Sequence, residues 1–293
     1  MVISHGEGPT VLLTAGNHGD EYEGQIALMR LCQELGAEDV AGRMIMLTAA
    51  NYPAALAGTR TSPIDEGNLN RSFPGDPDGS PTPMIAHYIE HELLPIADYS
   101  IDLHSGGTSL MYIPAGLTSR LDENPEMNAR QIELLNAFGA PVSCTFAVGS
   151  ENRRMLSAAA RSGVAFLGTE LGGGGCTSVE TVAVAESGLR RVLKHIGVTP
   201  NLTVAEASGG SRRMDVGGAD YFVYCPDFGI WEPLVELGDQ VEEGQPAANI
   251  FSQQTPWRPP AVAHFKRAGT VICKRTFSAV ERGDCLFHLA TDV

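Results

Sequence analysis

A histidine and a glutamate stand three residues apart in the turn "TAGNHGDEYEG", residues 14–24. The apolar run before this turn predicts a buried strand, and "IALMRLCQEL" after it predicts a helix. His18 and Glu21 can therefore face one point at the end of a strand, which is where α/β sheets bind their ligands. Neutral imidazole and carboxylate are ligands of Zn²⁺, so this pair predicts part of a zinc site.

A catalytic zinc site needs a third protein ligand, and His104 in "SIDLHSGGT" is the candidate. His104 also lies at the end of a predicted strand, and Asp102 could orient its ring. An HxxE pair alone is a weak motif, and the second strand-end histidine strengthens it. His264 stays unassigned. Five further histidines show no such setting and are expected at the surface or in packing: His5, His87, His91, His195 and His288.

The irregular polar stretch "GTRTSPIDEGNLNRSFPG", residues 58–75, contains Arg60, Asn68, Asn70 and Arg71. A guanidinium group is permanently charged and can hold a carboxylate at two points. The alternative is a loop that these side chains merely staple together. The stretch favours substrate binding only in company with a nearby metal site.

Glu170 ends a predicted strand in "GTELGGGG", residues 168–175. A carboxylate beside a metal site can act as a general base and then protonate a leaving amine. The glycines could instead form a phosphate loop, but neither GxxxxGK[ST] nor GxGxxG is present. A surface glutamate before a flexible loop is the other alternative.

The elements that must position these residues alternate over residues 1–200. The expected strands are 10–15, 43–49, 99–104, 140–146 and 164–171. The expected helices are 24–35, 81–97, 123–139, 153–163 and 179–197. This alternation predicts an α/β fold with a mostly parallel sheet between helices.

Residues 201–293 contain only short apolar runs separated by Gly, Pro and Asp, and predict a small all-β domain. The segment "LGDQVEEGQPAANI" has the turn chemistry of biotinyl and lipoyl barrels. It has no lysine at a hairpin tip, which argues against a carrier role.

The composition is that of an ordinary globular protein, with 43% hydrophobic and 19% charged residues. No stretch approaches the ~18 apolar residues of a membrane span, and no signal peptide is recognisable. The net charge of −15 argues against nucleic acid and membrane partners. Six scattered cysteines predict reduced thiols and a cytoplasmic location.

Four motifs in order, "GNHGDE", "NLNRSFPG", "DLHSGG" and "GTELGGGG", resemble the succinylglutamate desuccinylase/aspartoacylase family. The resemblance spans residues 10–290 and implies a zinc-carboxypeptidase-like mixed sheet with a C-terminal barrel-like β domain. It is compatible with a homodimer. Asn68 stands where many relatives have Asp, and we assign it only a role in shaping the loop.

The resemblance also implies a role for each matched position. His18, Glu21 and His104 match the ligands of one Zn²⁺ per chain, and Glu170 matches the catalytic glutamate. Arg60 matches an arginine that polarises the scissile carbonyl. Asn70 and Arg71 match the pair that holds the substrate carboxylate. Asp20 and Glu23 are expected to cap the helix or to face solvent.

The implied activity is hydrolysis of an N-acyl amino acid. Within the family, "TAGNHGDEYEG" and "NLNRSFPG" most resemble the deacetylases of ectoine breakdown, which act on Nα-acetyl-L-2,4-diaminobutyrate. A cationic side chain of this kind would call for an acidic residue in the pocket. The alternatives are another N-acyl amino acid, a peptide substrate as in carboxypeptidases, or a non-catalytic metal-binding or carrier module.

Overall fold

The apolar runs of the chain form strands, and most of the segments between them in the first two hundred residues form helices. The computed structural model describes residues 1–121, 123–147, 152–207 and 209–293. The strands are β1 (Val2–His5), β2 (Thr10–Ala15), β3 (Gly42–Leu47), β4 (Tyr99–Leu103), β5 (Leu110–Tyr112), β6 (Ala115–Arg120), β7 (Val142–Ala147), β8 (Ala165–Glu170), β9 (Arg212–Val216), β10 (Phe222–Tyr224), β11 (Gly229–Pro233), β12 (Gln240–Val241), β13 (Pro246–Phe251), β14 (Ala261–His264), β15 (Gly269–Arg275), β16 (Ala279–Val280) and β17 (Cys285–Asp292). The α-helices are α1 (Glu23–Glu34), α2 (Tyr52–Ala57), α3 (Pro81–Tyr88), α4 (Pro125–Phe138), α5 (Met155–Arg161) and α6 (Val179–His195).

Across the described ranges, thirteen strands form one sheet, which contains the order β1-β3-β2-β4-β8-β6-β7-β9-β17-β15-β12. Strands β3, β2, β4 and β8 run parallel to one another, and β6, β7 and β9 form a second parallel group. The two groups meet antiparallel at β6 and β8. The predicted α/β fold with a mixed, mostly parallel sheet is therefore confirmed.

Strand β2 shows why the apolar runs of this half are continuous. Val11 and Leu13 pack in a core with residues of α1, α4 and α6, whereas Leu12 faces a second core that includes residues of α3 and α5. Because helices cover both faces of the sheet, successive strand residues are buried.

The helix predicted over 81–97 is only partly regular. Helix α3 continues as a π-helical turn, Ile89–Leu93, and then as a 3₁₀ turn, Leu94–Ile96. Pro95 explains the change, because it has no N–H to donate and its ring would clash with the carbonyl four residues earlier. Before residue 200 the sequence patterns also missed β1, α2, β5 and β6, and after it they missed β9, β12, β14 and β16.

Among the described residues after 200, the only helical segment is the 3₁₀ turn Ala219–Tyr221. Strand β9 continues the large sheet past residue 200, since it pairs with both β7 and β17. Strand β5 adds to β15, with Tyr112 opposite Cys273. Strands β14, β13, β11 and β16 form a separate antiparallel sheet. The division of the chain at residue 200 and the barrel-like form of the second part stay predictions.

In the described part of the chain, we find no helix with the length and apolar character that crossing a bilayer requires.

Candidate active site

His18, Glu21 and His104 lie at one edge of the sheet. His18 and Glu21 occupy the turn between β2 and α1, and His104 directly follows β4. Because β2 and β4 are parallel neighbours, their carboxyl ends meet there. The Nδ1 atoms of His18 and His104 lie 2.7 Å from Oε1 and Oε2 of Glu21, respectively.

The three side chains form a group that could hold a metal ion. One donor atom from each lies within 4.8 Å of the others, and all three residues are buried. Two imidazole nitrogens and one carboxylate oxygen suit a catalytic Zn²⁺, which takes three protein ligands and leaves one position open. The donor set therefore fits the predicted ion.

The remaining ring nitrogen of each histidine has its own acceptor. His104 Nε2 donates to Asp102 Oδ2 at 2.9 Å, as predicted, and His18 Nε2 donates to Asn68 Oδ1 at 3.1 Å. These contacts direct Nε2 of each ring to its own acceptor and Nδ1 to Glu21, so Nδ1 is the atom of each ring that would bind a metal ion. Asn68 therefore does more than shape its loop, which corrects the role expected for it.

The cluster concentrates negative charge in a buried place. Burial alone would raise the pKa of Glu21, but His18 and His104 lower it below its usual range. Burial alone would lower the pKa of His104, but Asp102 and Glu21 raise it well above its usual range. The charges that favour a proton on His104 favour a metal cation at the same point.

Glu170 and Arg60 flank the cluster. Glu170 ends β8 and is partly exposed, and its Oε2 atom is buried without a hydrogen-bond partner in the described residues. Burial, with repulsion from Glu21, raises the pKa of Glu170 well above its usual range. Arg60 approaches Glu21 Oε1 to 3.5 Å, and its side chain is 48% exposed. About half of the Arg60 side chain is thus accessible to a ligand.

Asn70 and Arg71 lie in the 3₁₀ turn Leu69–Arg71. Asn70 Oδ1 accepts a hydrogen bond from the backbone N–H of Met155 at 2.9 Å, which turns Nδ2 toward His104. Since His104 Nε2 carries a proton, this 3.4 Å contact joins two donors, and the Asn70 amide keeps its N–H groups for a ligand. Arg71 Nη1 donates to the carbonyl oxygen of Asn70 at 2.7 Å.

The loop that carries these residues is fastened by Asp65, which the sequence patterns did not single out. Its carboxylate accepts hydrogen bonds from Thr82, Ser80 and the backbone N–H of Gly67. Burial would raise the pKa of Asp65, but these bonds lower it below its usual range. Asp65 thereby ties the loop to the start of α3.

Asp20 and Glu23 are both buried, so the expectation that they face solvent is wrong. Asp20 accepts hydrogen bonds from the backbone and hydroxyl of Thr108, and it joins the first turn to the segment after His104. Glu23 is the first residue of α1, but the preceding Tyr22 caps the helix without a side-chain bond. Gly19 allows close packing, because a Cβ there would lie 1.9 Å from the Ala54 carbonyl oxygen.

All seven predicted site residues line one cavity of about 260 Å³. They are His18, Glu21, Arg60, Asn70, Arg71, His104 and Glu170. The wall also contains residues that the sequence patterns missed: Tyr112, Phe146, Arg154, Phe222 and His288. Arg154 is a further cation of this wall, and its Nε atom is buried without a hydrogen-bond partner in the described chain.

Comparison with known proteins assigns the chain to the same family as the four sequence motifs do. The family model for the succinylglutamate desuccinylase/aspartoacylase catalytic domain matches residues 7–196. The N-alpha-acetyl-L-2,4-diaminobutyric acid deacetylase of Halomonas elongata is 42% identical over 99% of this chain and 84% of its own. The chain belongs to the succinylglutamate desuccinylase/aspartoacylase family.

Solved structures extend the family likeness beyond the catalytic domain. The product-bound ectoine utilization protein EutE (DoeB) from Ruegeria pomeroyi is 40% identical, with a TM-score of 0.92 over 99% of this chain and 87% of that one. A succinylglutamate desuccinylase/aspartoacylase from Rhodobacter sphaeroides is 39% identical, with a TM-score of 0.92 over 100% of this chain and 88% of that one. The strands after residue 200 are thus part of the fold shared with these family members.

Proposed function

We propose that this protein is a zinc-dependent hydrolase that removes an acyl group, most simply acetyl, from an N-acyl amino acid. One observation carries the proposal. One cavity is lined by the buried His18–Glu21–His104 group, by Glu170 and by the guanidinium groups of Arg60 and Arg71. The Oε2 atom of Glu170 has no hydrogen-bond partner among the described residues. Metal ligands, a base and carboxylate-binding cations are the parts that hydrolysis of an acylated amino acid requires.

His18, Glu21 and His104 would hold one Zn²⁺. When bound, the ion supplies Lewis-acid polarisation of the acyl carbonyl and lowers the pKa of a water molecule at the site toward ~7. Asp102 and Asn68 keep the two imidazole rings in the orientation and tautomer that expose Nδ1.

The remaining side chains move protons and hold the substrate. Glu170 takes a proton from the attacking water and delivers it to the departing amine. Arg60 donates to the acyl oxygen as negative charge develops there. Arg71 pairs with the α-carboxylate and Asn70 Nδ2 donates to it, which fixes the amide that is cleaved.

The substrate that we propose is Nα-acetyl-L-2,4-diaminobutyrate. The support is the name of the Halomonas relative and its 42% identity over nearly the whole chain. The cavity of about 260 Å³ is small beside typical ligand sites of roughly 300–1,000 Å³, which favours a single acylated amino acid over a peptide.

The substrate proposal is tested by amine release from Nα-acetyl-diaminobutyrate, N-acetylaspartate and N-succinylglutamate with the zinc-loaded protein. We expect a strong preference for the first. Preference for either of the others would overturn the substrate but keep the hydrolase. Release from none of these, nor from further N-acyl amino acids, would overturn the function.

The base is tested by Glu170→Gln, which should keep zinc and lower kcat by about 10²- to 10⁴-fold. The matched control is Glu180→Gln, which makes the same change at an exposed position of α6. Near-normal turnover of Glu170→Gln would remove Glu170 from the base role.

We also propose a domain division and a cellular location for the enzyme. Residues 1–200 form the catalytic unit and residues 201–293 an accessory β unit, which is supported by the family match over residues 7–196. A cytoplasmic location is supported by the six cysteines, all of which are free thiols. The homodimer stays a prediction of the family resemblance.

A further inference from the structure

His288 belongs to the wall of the cavity although it comes from the last strand of the chain. Its neighbours Phe287 and Leu289 pack into the core of the C-terminal half. Because side chains alternate across a strand, His288 lies on the opposite face of β17, where it lines the cavity. It is 3% exposed.

Aromatic rings surround this imidazole. The Phe222 ring, opposite His288 in the β10–β17 pairing, stacks on it with a centroid distance of 4.1 Å and an interplanar angle of 11°. Tyr112 approaches nearly perpendicular at 6.1 Å, and Phe146 lies at 6.3 Å. These contacts fix the ring plane, so its nitrogens have defined directions.

Neither nitrogen of His288 has a hydrogen-bond partner in the described part of the chain, and both are buried. Buried polar groups in folded proteins are nearly always hydrogen-bonded, so an unpaired imidazole in a ligand cavity points to a ligand. Burial lowers the pKa of His288 to about 3. The ring is therefore neutral near pH 7 and offers one N–H donor and one lone-pair acceptor.

The charged residues of the cavity indicate which ligand group would contact the lone pair of His288. The carboxylates that line it within the described residues are Glu21, Asp102 and Glu170, and each already has a place in or beside the metal group. The acidic residue expected for a cationic side chain is therefore not found among the described wall residues. Near His288 the wall consists of the aromatic rings of Tyr112, Phe146 and Phe222 and, among the described residues, adds no further carboxylate.

We propose that His288 is a specificity-determining residue that accepts a hydrogen bond from the amine on the substrate's side chain, while the stacked Phe222 ring holds the imidazole in place. The inference rests on the proposed function and deepens it. The metal group determines which bond is cleaved, and His288 discriminates the side chain on the amino acid. A short chain that ends in a protonated amine suits a neutral acceptor among aromatic rings.

The test compares Nα-acetyl-2,4-diaminobutyrate with Nα-acetyl-2-aminobutyrate, which has the same carbon chain without the amine. His288→Phe keeps an aromatic ring that can stack on Phe222 and removes both imidazole nitrogens. We expect the ratio of kcat/KM for the two substrates to fall about 10- to 100-fold, mainly through KM for the amine substrate. The value of kcat/KM for the aminobutyrate substrate, which has no amine to bind, should fall less than that for the amine substrate.

Two further variants separate recognition from folding. His288→Gln keeps an acceptor and should retain part of the ratio. His264→Phe makes the same chemical change at an exposed residue of β14 and should leave the ratio unchanged.

An unchanged ratio in both His288 variants, or a wild type that does not favour the amine, would overturn the role of His288 while the hydrolase proposal stands. A wild type that releases amine from neither substrate, nor from other N-acyl amino acids, would overturn both.

Discussion

Asp102 should control how tightly the cluster binds zinc. It is almost fully buried, and it accepts hydrogen bonds from His104 Nε2 at 2.9 Å and from Thr14 Oγ1 at 2.6 Å. Asp102→Asn keeps the shape of the side chain and an oxygen for His104 but removes the charge. A partner of this kind typically accounts for a 10- to 100-fold change in metal affinity, or about 1.4 to 2.7 kcal/mol.

The measurement is urea unfolding of each protein with and without zinc. At a free zinc concentration of about 1,000 times the wild-type Kd, zinc should stabilise the wild type by about 4.1 kcal/mol. For Asp102→Asn the same concentration is only about 10 to 100 times Kd, so the zinc contribution should fall to about 1.4 to 2.7 kcal/mol. The comparison within each variant removes the effect of the substitution on the metal-free protein.

Asn68→Ala is the matched variant at the other histidine, where the lost hydrogen bond to His18 has a neutral acceptor. Charge-assisted bonds are roughly twice as strong as neutral ones, so losing the charge in Asp102→Asn and losing the whole neutral bond in Asn68→Ala should lower the zinc contribution by similar amounts. A full zinc contribution in Asp102→Asn would refute the reasoning, since the carboxylate would then have no part in holding the metal.

Three further changes test the framework and the substrate site. Gly19→Ala should lower the free energy of unfolding by about 1 to 3 kcal/mol, because its Cβ would clash with the Ala54 carbonyl. Gly210→Ala is the control, because a Cβ at that position would meet open space. Equal urea midpoints for the two variants would contradict this prediction. The pKa of Asp65 in the folded protein lies below its unfolded value of about 3.9. Its carboxylate therefore stabilises the folded state at pH values above about 3.9, and this stabilisation decreases as the pH falls below that value. Asp65→Asn should therefore be less stable than the wild type at pH 7, and a gap that stays constant down to pH 3 would count against the hydrogen bonds. Arg71→Ala should lower kcat/KM about 10- to 100-fold for acetylated amino acids but not for their α-carboxamides, and equal losses on both would remove the pairing with the carboxylate.

The candidate metal-binding group could be predicted because regular elements with recognisable sequence patterns bring its parts together. A three-residue spacing at the start of a helix brings His18 next to Glu21, and parallel pairing of adjacent strands brings His104 to the same edge. The partner of His104 could also be predicted, since Asp102 precedes it by two residues. Asn68 was undervalued, because its contact with His18 spans 50 residues and depends on how an irregular loop folds.

The aromatic wall could not be predicted, because it depends on pairing between distant strands. Tyr112 is brought to the cavity by the pairing of β5 with β15, and Phe222 and His288 arrive on β10 and β17. A short run of alternating polar and apolar residues predicts a strand but does not indicate which other strand it pairs with. The burial of Asp20 has the same origin, since its partner Thr108 lies 88 residues away.

The cavity takes its side chains from two separate parts of the chain, which matters for protein engineering. The predicted ligands and base come from residues before 200, whereas His288 and Phe222 reach the cavity from strands after it. A library confined to these two positions would explore new side-chain preferences against an unaltered hydrolytic apparatus. In the same way, descendants of one ancestral enzyme could acquire different substrates through changes in two late strands alone.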